Sequence, residues 1–249
     1  MTLIVLRSPK GGVGRTTLTA LLGEGLARRG HDVTVMDLDP QDALRFHFGV
    51  VDAAQELTRA RRLDCVATAS GVKRVTQSPV DLAMLLGAGP RAAQLAPLLV
   101  QPWLDRPEIL LVDIAAAEDA CASAVIELAD VEIRPLLADA ASMVSLPPGF
   151  ADADQLPQSL FVLNQADHRR PLTQSALAHV RHVVGHRLLG VVRRDEAVPE
   201  ALASLQALAD YAPASAAWAD IVGLSDALHA RLAQRRAATG LATFGALGA

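Results

Sequence analysis

Lys10-Gly11-Gly12-Val13-Gly14-Arg15-Thr16-Thr17 packs three glycines, two hydroxyls and two cations into one short stretch. Glycines let a backbone curl so that successive N–H groups point inward, and such a concavity holds phosphate oxygens. A helix beginning at the end of the loop adds the positive end of its dipole. The Thr16 hydroxyl stands where this kind of loop ligates Mg²⁺. Glycines alone would read as an ordinary turn. Here an apolar strand precedes them, and a hydroxyl pair and a helical pattern follow. The stretch from Gly11 through Val13, Gly14 and Arg15 to Thr17 is therefore read as a nucleotide-phosphate loop.

Four further residues, Asp37, Asp39, Asp113 and Asn164, are placed for chemistry at strand ends. Val33-Thr34-Val35-Met36 runs into Asp37-Leu38-Asp39-Pro40-Gln41, and Ile109-Leu110-Leu111-Val112 runs into Asp113. Residues just outside the C-terminal ends of parallel strands face the ligand crevice. Asn164 follows the strand pattern Leu160-Phe161-Val162-Leu163, and its amide can both donate to and accept from an adenine edge. Each of these has a plainer reading as a turn residue.

The elements that must position these groups are legible from periodicity. Leu3–Leu6 is a continuous apolar run, as a buried parallel strand requires. A helix over about 16–29 carries Leu18, Leu21, Leu22 and Leu26 on one face, and Gly30 ends it. Strands are expected at Val33–Met36, Leu82–Leu86, Ile109–Asp113, Val131–Leu137, Leu160–Leu163 and Leu188–Val192. Helices are expected near 92–100, 119–128, 172–184, 199–208 and 214–236. Residues 40–80 read as short helices and loop. Strands alternating with helices predict an α/β fold, a doubly wound, mostly parallel sheet with helices on both faces. One domain over 1–237 with a flexible tail over 238–249 is expected.

Composition narrows the function classes. About half of the 249 residues are apolar and the net charge is −4, so no global basic field advertises nucleic acid. Lys10 and Lys73 are the only lysines. Cys65 and Cys121 match no metal or redox spacing and read as reduced thiols of a cytosolic protein. No signal peptide and no bilayer-spanning run is expected.

The Lys-Gly-Gly-Val-Gly opening resembles the ParA/MinD, or deviant Walker A, family of P-loop ATPases. Two positions depart from the general loop: Pro9 stands at the usual first glycine and Arg15 at the usual lysine. The resemblance implies ATP and Mg²⁺ as ligands. It implies that Lys10 reaches across a nucleotide-sandwiched homodimer to the partner's phosphates. It gives Asp39 the positioning of the attacking water, Asp37 and Asp113 supporting places at Mg²⁺ beside Thr16, Arg15 the phosphate charge, and Asn164 the base. Ile114-Ala115-Ala116-Ala117 lacks the Gly or Pro common in the family's second switch. Arg193-Arg194-Asp195-Glu196-Ala197 resembles the family's downstream Arg…Glu-Ala element, which adds Arg193 to the nucleotide site.

That shortened element, the segment Phe46-His47-Phe48-Gly49-Val50 and the altered loop residue are similar to the cellulose-synthase-operon branch. This branch implies a cytoplasmic regulator working with small accessory subunits on the inner-membrane cellulose synthase complex. Two alternatives stay open: an ATP-bound scaffold that does not hydrolyse, and a DNA-partition ATPase. Arg61-Arg62, Lys73-Arg74, Arg169-Arg170 and Arg235-Arg236 are candidates for a DNA face, though such pairs are more often solvated surface and DNA is not favoured. His168, His179, His182 and His186 form no convincing ligand set. The tail carries Leu241, Phe244 and Leu247 with no cation beyond Arg236, unlike a membrane anchor.

Overall fold

The computed structural model describes residues 1–39, 41–51, 64–76, 98, 100–103, 106–114, 120–148 and 159–246. Eight strands form one sheet in the order β3-β4-β2-β5-β1-β6-β7-β8. In chain order these are β1 Thr2–Arg7, β2 Val33–Asp37, β3 Asp64–Ala67, β4 Lys73–Thr76, β5 Ile109–Ile114, β6 Val131–Leu136, β7 Ser159–Ala166 and β8 Leu188–Arg193. Every pairing is parallel except β3 with β4. The described helices are α1 Arg15–Ala27, α2 Ala120–Glu127, α3 Ala140–Val144, α4 Pro171–Val184, α5 Ala197–Ala203, α6 Leu208–Tyr211 and α7 Ala216–Ala246.

Alternation along the central strands explains the layers. Ile4 and Leu6 face the layer built from α1 and α7, with Leu22, Leu26, Ile221, Leu224 and Leu228. Leu3 and Val5 face the opposite layer, with Trp103 and Val125. Beyond β6 that second face continues as a cluster of Phe161, Leu163 and Ala166 under Val180 and Val184 of α4. A sheet covered on both faces is what the unbroken apolar strands require.

Four elements differ from the sequence reading. The segment read as short helices and loop contains the β3–β4 hairpin, turned at Gly71 with φ +80. Its residues Cys65, Val66, Val75 and the pair Lys73-Arg74 lack clean alternation, so tertiary pairing decides the strand. The helix expected over 199–208 is two helices, α5 and α6, parted at Leu205, whose φ is +55. The last helix does not end at Arg236 but continues to Ala246, through a stretch whose alanines favour helix. A short helix α3 was not expected; Asp139 caps it by accepting from Ser142 N–H at 2.8 Å. The expected strand at Leu82–Leu86 and almost all of the helix near 92–100 lie outside the described residues.

α1 departs from the one-faced pattern as well. Every residue from Leu18 to Leu26 is buried, including Thr19, Glu24 and Gly25. The cause is α7, which covers the outer side. A Cβ on Gly25 would meet Ser225 Oγ at 2.2 Å, so the two helices pack as closely as they do only over a glycine.

Candidate nucleotide site

The loop between β1 and α1 sits where the sheet branches, with β1 flanked by β5 and β6. Gly12 and Gly14 have φ of +75 and +79, the left-handed conformations that turn successive N–H groups to one side. α1 then starts at Arg15 with no side-chain cap. The loop amides and the helix N-terminus together form an anion cradle.

Register brings the acids to its edge. Asp37 and Asp113 are paired at the ends of the adjacent strands β2 and β5. Thr16 Oγ1 donates to Asp113 Oδ2 at 2.6 Å. Arg15 donates from Nε to Asp113 and from Nη2 to Asp39 Oδ2, the latter at 2.9 Å. Asp113 is fully buried and burial pushes its carboxyl up; the Arg15 charge and the Thr16 hydroxyl pull it down. Asp37 accepts from the backbone N–H of Asp39 at 2.8 Å and of Leu44 at 3.0 Å, so it shapes the turn that presents Asp39. Burial first, then the neighbouring Asp113, raises the Asp37 carboxyl to about 7.

These oxygens are hard donors of the kind Mg²⁺ takes, and Thr16, Asp113 and Asp37 converge as a divalent site would require. Of these, Asp113 is paired with the guanidinium of Arg15, which also holds Asp39. Pro40 and Ala115–Ala117, the latter read from sequence as the second switch, lie outside the described residues.

Lys10 leaves the cradle and pairs with Asp139, the cap of α3. The Lys10 ammonium, with the Ser142 N–H, holds the Asp139 carboxyl below the usual range. Asp139 was not singled out from sequence; the signal available was the Asp139…Ser142 spacing of a helix cap. Thr17 Oγ1 lies 3.3 Å from Nε2 of His47, in the short 3-10 helix Ala43–Phe48. Burial lowers His47 to about 4, so its ring is neutral at physiological pH.

Beside the cradle opens a cavity of about 320 Å³, lined by Gly14, Thr17, Leu21, Asn164, Gln165 and Arg193 among others. Asn164 Nδ2 donates to the Val13 carbonyl at 2.8 Å, joining β7 to the loop. Arg193 lines the cavity but its guanidinium is held by Asp220 through two contacts at 2.8 Å. Asp195 accepts from the N–H groups of Ala197 and Ala217, fixing the cavity's far wall. The structure thus brings Asp39 and Asp113 against the loop, with Asp37 behind them, and sets Asn164 and Arg193 in the cavity beside it.

Comparison with known proteins gives the family and the fold. Residues 4–208 match the family model described as the CobQ/CobB/MinD/ParA nucleotide binding domain. A protein ParA from Rhizobium radiobacter is 34% identical over 86 residues, spanning 34% of this chain and only 37% of that protein. Among solved structures, a plasmid partition protein from Borrelia burgdorferi B31 bound to AMPPNP superimposes with a TM-score of 0.73 at 14% identity, over 92% of this chain and 99% of that one. MinD from Pyrococcus horikoshii with Mg-ADP gives 0.69 at 19% identity, over 91% and 95%. At such identities the structures speak for the fold. With the family model spanning most of its length, the chain belongs to the CobQ/CobB/MinD/ParA nucleotide-binding family.

Proposed function

We propose that this protein is an ATP-driven switch that closes as a homodimer around Mg²⁺-ATP. The observation that carries the reading is the convergence of Thr16, Arg15, Asp39 and Asp113 on the anion cradle. The loop amides and Arg15 neutralise phosphate charge. Thr16 and Asp113, supported by Asp37, are the groups to hold Mg²⁺, which would spread the charge of the transferring phosphoryl group. Asp39 orients water. Positioning and electrostatics account for this kind of chemistry, with no covalent step on the protein. Lys10 exchanges Asp139 for the partner's phosphates, so ATP favours the closed pair by binding it better than the open chain.

Solution mass by light scattering tests the reading, with Mg²⁺ and ATP, ADP or no nucleotide. A dimer with ATP alone is expected. A monomer throughout overturns it, and a dimer indifferent to nucleotide favours a scaffold without hydrolysis.

The finer reading places the switch on a cellulose-synthesis assembly at the cytoplasmic face of the inner membrane, with small accessory subunits. It is supported by the segments Phe46–Val50 and Arg193–Ala197. Among the described residues no helix is long and apolar enough to cross a membrane, so recruitment falls to partner proteins. ATP-dependent binding to purified cytosolic parts of such a synthase tests it. A second reading, DNA partition, is favoured by the similarity to a ParA protein. ATP-dependent binding to non-specific duplex at low salt, lost as salt rises, would establish it.

A further inference from the structure

Two consecutive residues of β7 face the cradle where alternation allows one. Leu160 and Val162 belong to the layer of α1, while Phe161 and Leu163 belong to the opposite layer. Asn164 returns to the α1 side, where it bonds the Val13 carbonyl. Strict alternation would send Gln165 to the far face and bring Ala166 back. Instead Ala166 packs with Leu163 on the far face, and Gln165 lines the cavity.

A bulge is responsible. The step from Leu163 to Ala166 in β7 is matched by the step from Val191 to Arg193 in β8, so β7 carries one extra residue. Gln165 itself has φ +53, a conformation that costs a non-glycine residue about 1 kcal/mol. Bulges beside active sites commonly re-aim a side chain, and strain held at one points to function.

The re-aimed amide is unspent. Asn164 has committed its Nδ2 to the loop, and Arg193 is tied to Asp220. Gln165 is exposed, and among the described residues its side chain has no hydrogen-bond partner. Its Nε2 lies over the last loop glycine, 3.2 Å from where a Cβ on Gly14 would stand. A free donor and a free acceptor thus stand at the join between the phosphate cradle and the side cavity.

We propose that Gln165 is a specificity residue that hydrogen-bonds the nucleoside half of the bound nucleotide. The proposal rests on the nucleotide reading above and adds to it which half of the ligand this residue reads. The bulge serves to place that amide, and the strained backbone is the consequence.

Calorimetric titration of the full chain with Mg²⁺ and ATP, ADP or inorganic triphosphate tests this. Gln165→Ala is expected to weaken ATP and ADP alike by about ten-fold, the worth of one good hydrogen bond. Inorganic triphosphate, which lacks the nucleoside, should bind the variant within about two-fold of the parent. Gln165→Gly removes the amide and relieves the positive φ, so it should melt no lower than the parent yet lose ATP affinity equally. Unchanged ATP binding by both variants overturns the proposal alone, as does an equal loss for inorganic triphosphate. Failure of the parent chain to bind ATP overturns the nucleotide reading and this proposal together.

Discussion

Arg15 Nη2 reaches Asp39 Oδ2 at 2.9 Å while its Nε holds the buried Asp113, so one side chain ties the phosphate loop to both strand-end acids. Only a fork can do this. A lysine ammonium at the same position would bring one charge on a flexible stem and could not span two carboxylates with fixed geometry. The substitution of the usual loop lysine by Arg15 therefore has a structural consequence: without nucleotide, the guanidinium neutralises the acids that would serve Mg²⁺ and water.

Removing that fork should be costly. Arg15→Ala leaves Asp113, at 0% exposure, without its counter-charge, a change that costs about 3 kcal/mol in comparable buried pairs. Urea unfolding without nucleotide should show a loss of that order, with at least a ten-fold loss of ATP affinity. Arg15→Lys should keep ATP binding within a few-fold while losing roughly half as much stability, since one of two contacts survives. An Arg15→Ala chain as stable as the parent would mean that the bridge does not hold the loop.

Asp139 competes with the proposed dimer for the Lys10 ammonium. Asp139→Asn keeps an acceptor for Ser142 N–H and removes the charge that holds Lys10. Side-chain exposures of 37% and 34% limit the pair to the worth of a surface ion pair. Sedimentation equilibrium with Mg²⁺-ATP should therefore show dimerisation tightened by up to about five-fold. Weakened dimerisation in Asp139→Asn would assign Asp139 a part in the interface itself.

The site was more legible than the sheet's edge. The place of Gly11–Thr17 between a strand and a helix could be read because glycine conformations and a helix start in fixed order are local. Asp37 and Asp113 could be read because buried parallel strands announce their ends. Asp139 could not: what pairs it with Lys10 is the spacing of β1 and β6 in the sheet, which periodicity does not encode. Nor could Gln165, since a bulge is one residue of slip between β7 and β8 with no composition of its own. The β3–β4 hairpin escaped because pairing with β2, not propensity, makes it a strand.

Gly14 carries two demands at once. Its φ is +79, and a Cβ there would stand 2.6 Å from Asn164 Nδ2. Gly14→Ala meets both the left-handed penalty, about 1 kcal/mol, and the displacement of the Asn164 amide from the Val13 carbonyl, another ~1 kcal/mol. The melting midpoint should fall, and ATP affinity should fall more than ten-fold because the cradle and the cavity beside it share this residue. A variant that binds ATP normally would show that the cleft tolerates a wider loop than its geometry implies.

Glu24 supplies the pH dependence. It is 1% exposed between α1 and its cover, and among the described residues its Oε2 has no hydrogen-bond partner. Burial, the largest cause, raises its carboxyl from 4.5 to about 7, with Asp210 adding to the rise and Arg28 opposing it. The folded chain therefore binds a proton that the unfolded chain has already lost between these two values. Stability must fall as pH rises through that window, and stay lower above about 7. A shift of this size corresponds to roughly 3 kcal/mol at most. Asp37, also raised to about 7, acts with the same sign and keeps part of the slope in any Glu24 variant. Glu24→Gln cannot ionise, so its unfolding free energy should lie within about 1 kcal/mol of the parent at pH 5 and exceed it by about 2 kcal/mol at pH 8. Parallel profiles for the two chains would mean that Glu24 reaches water and does not titrate as a buried group.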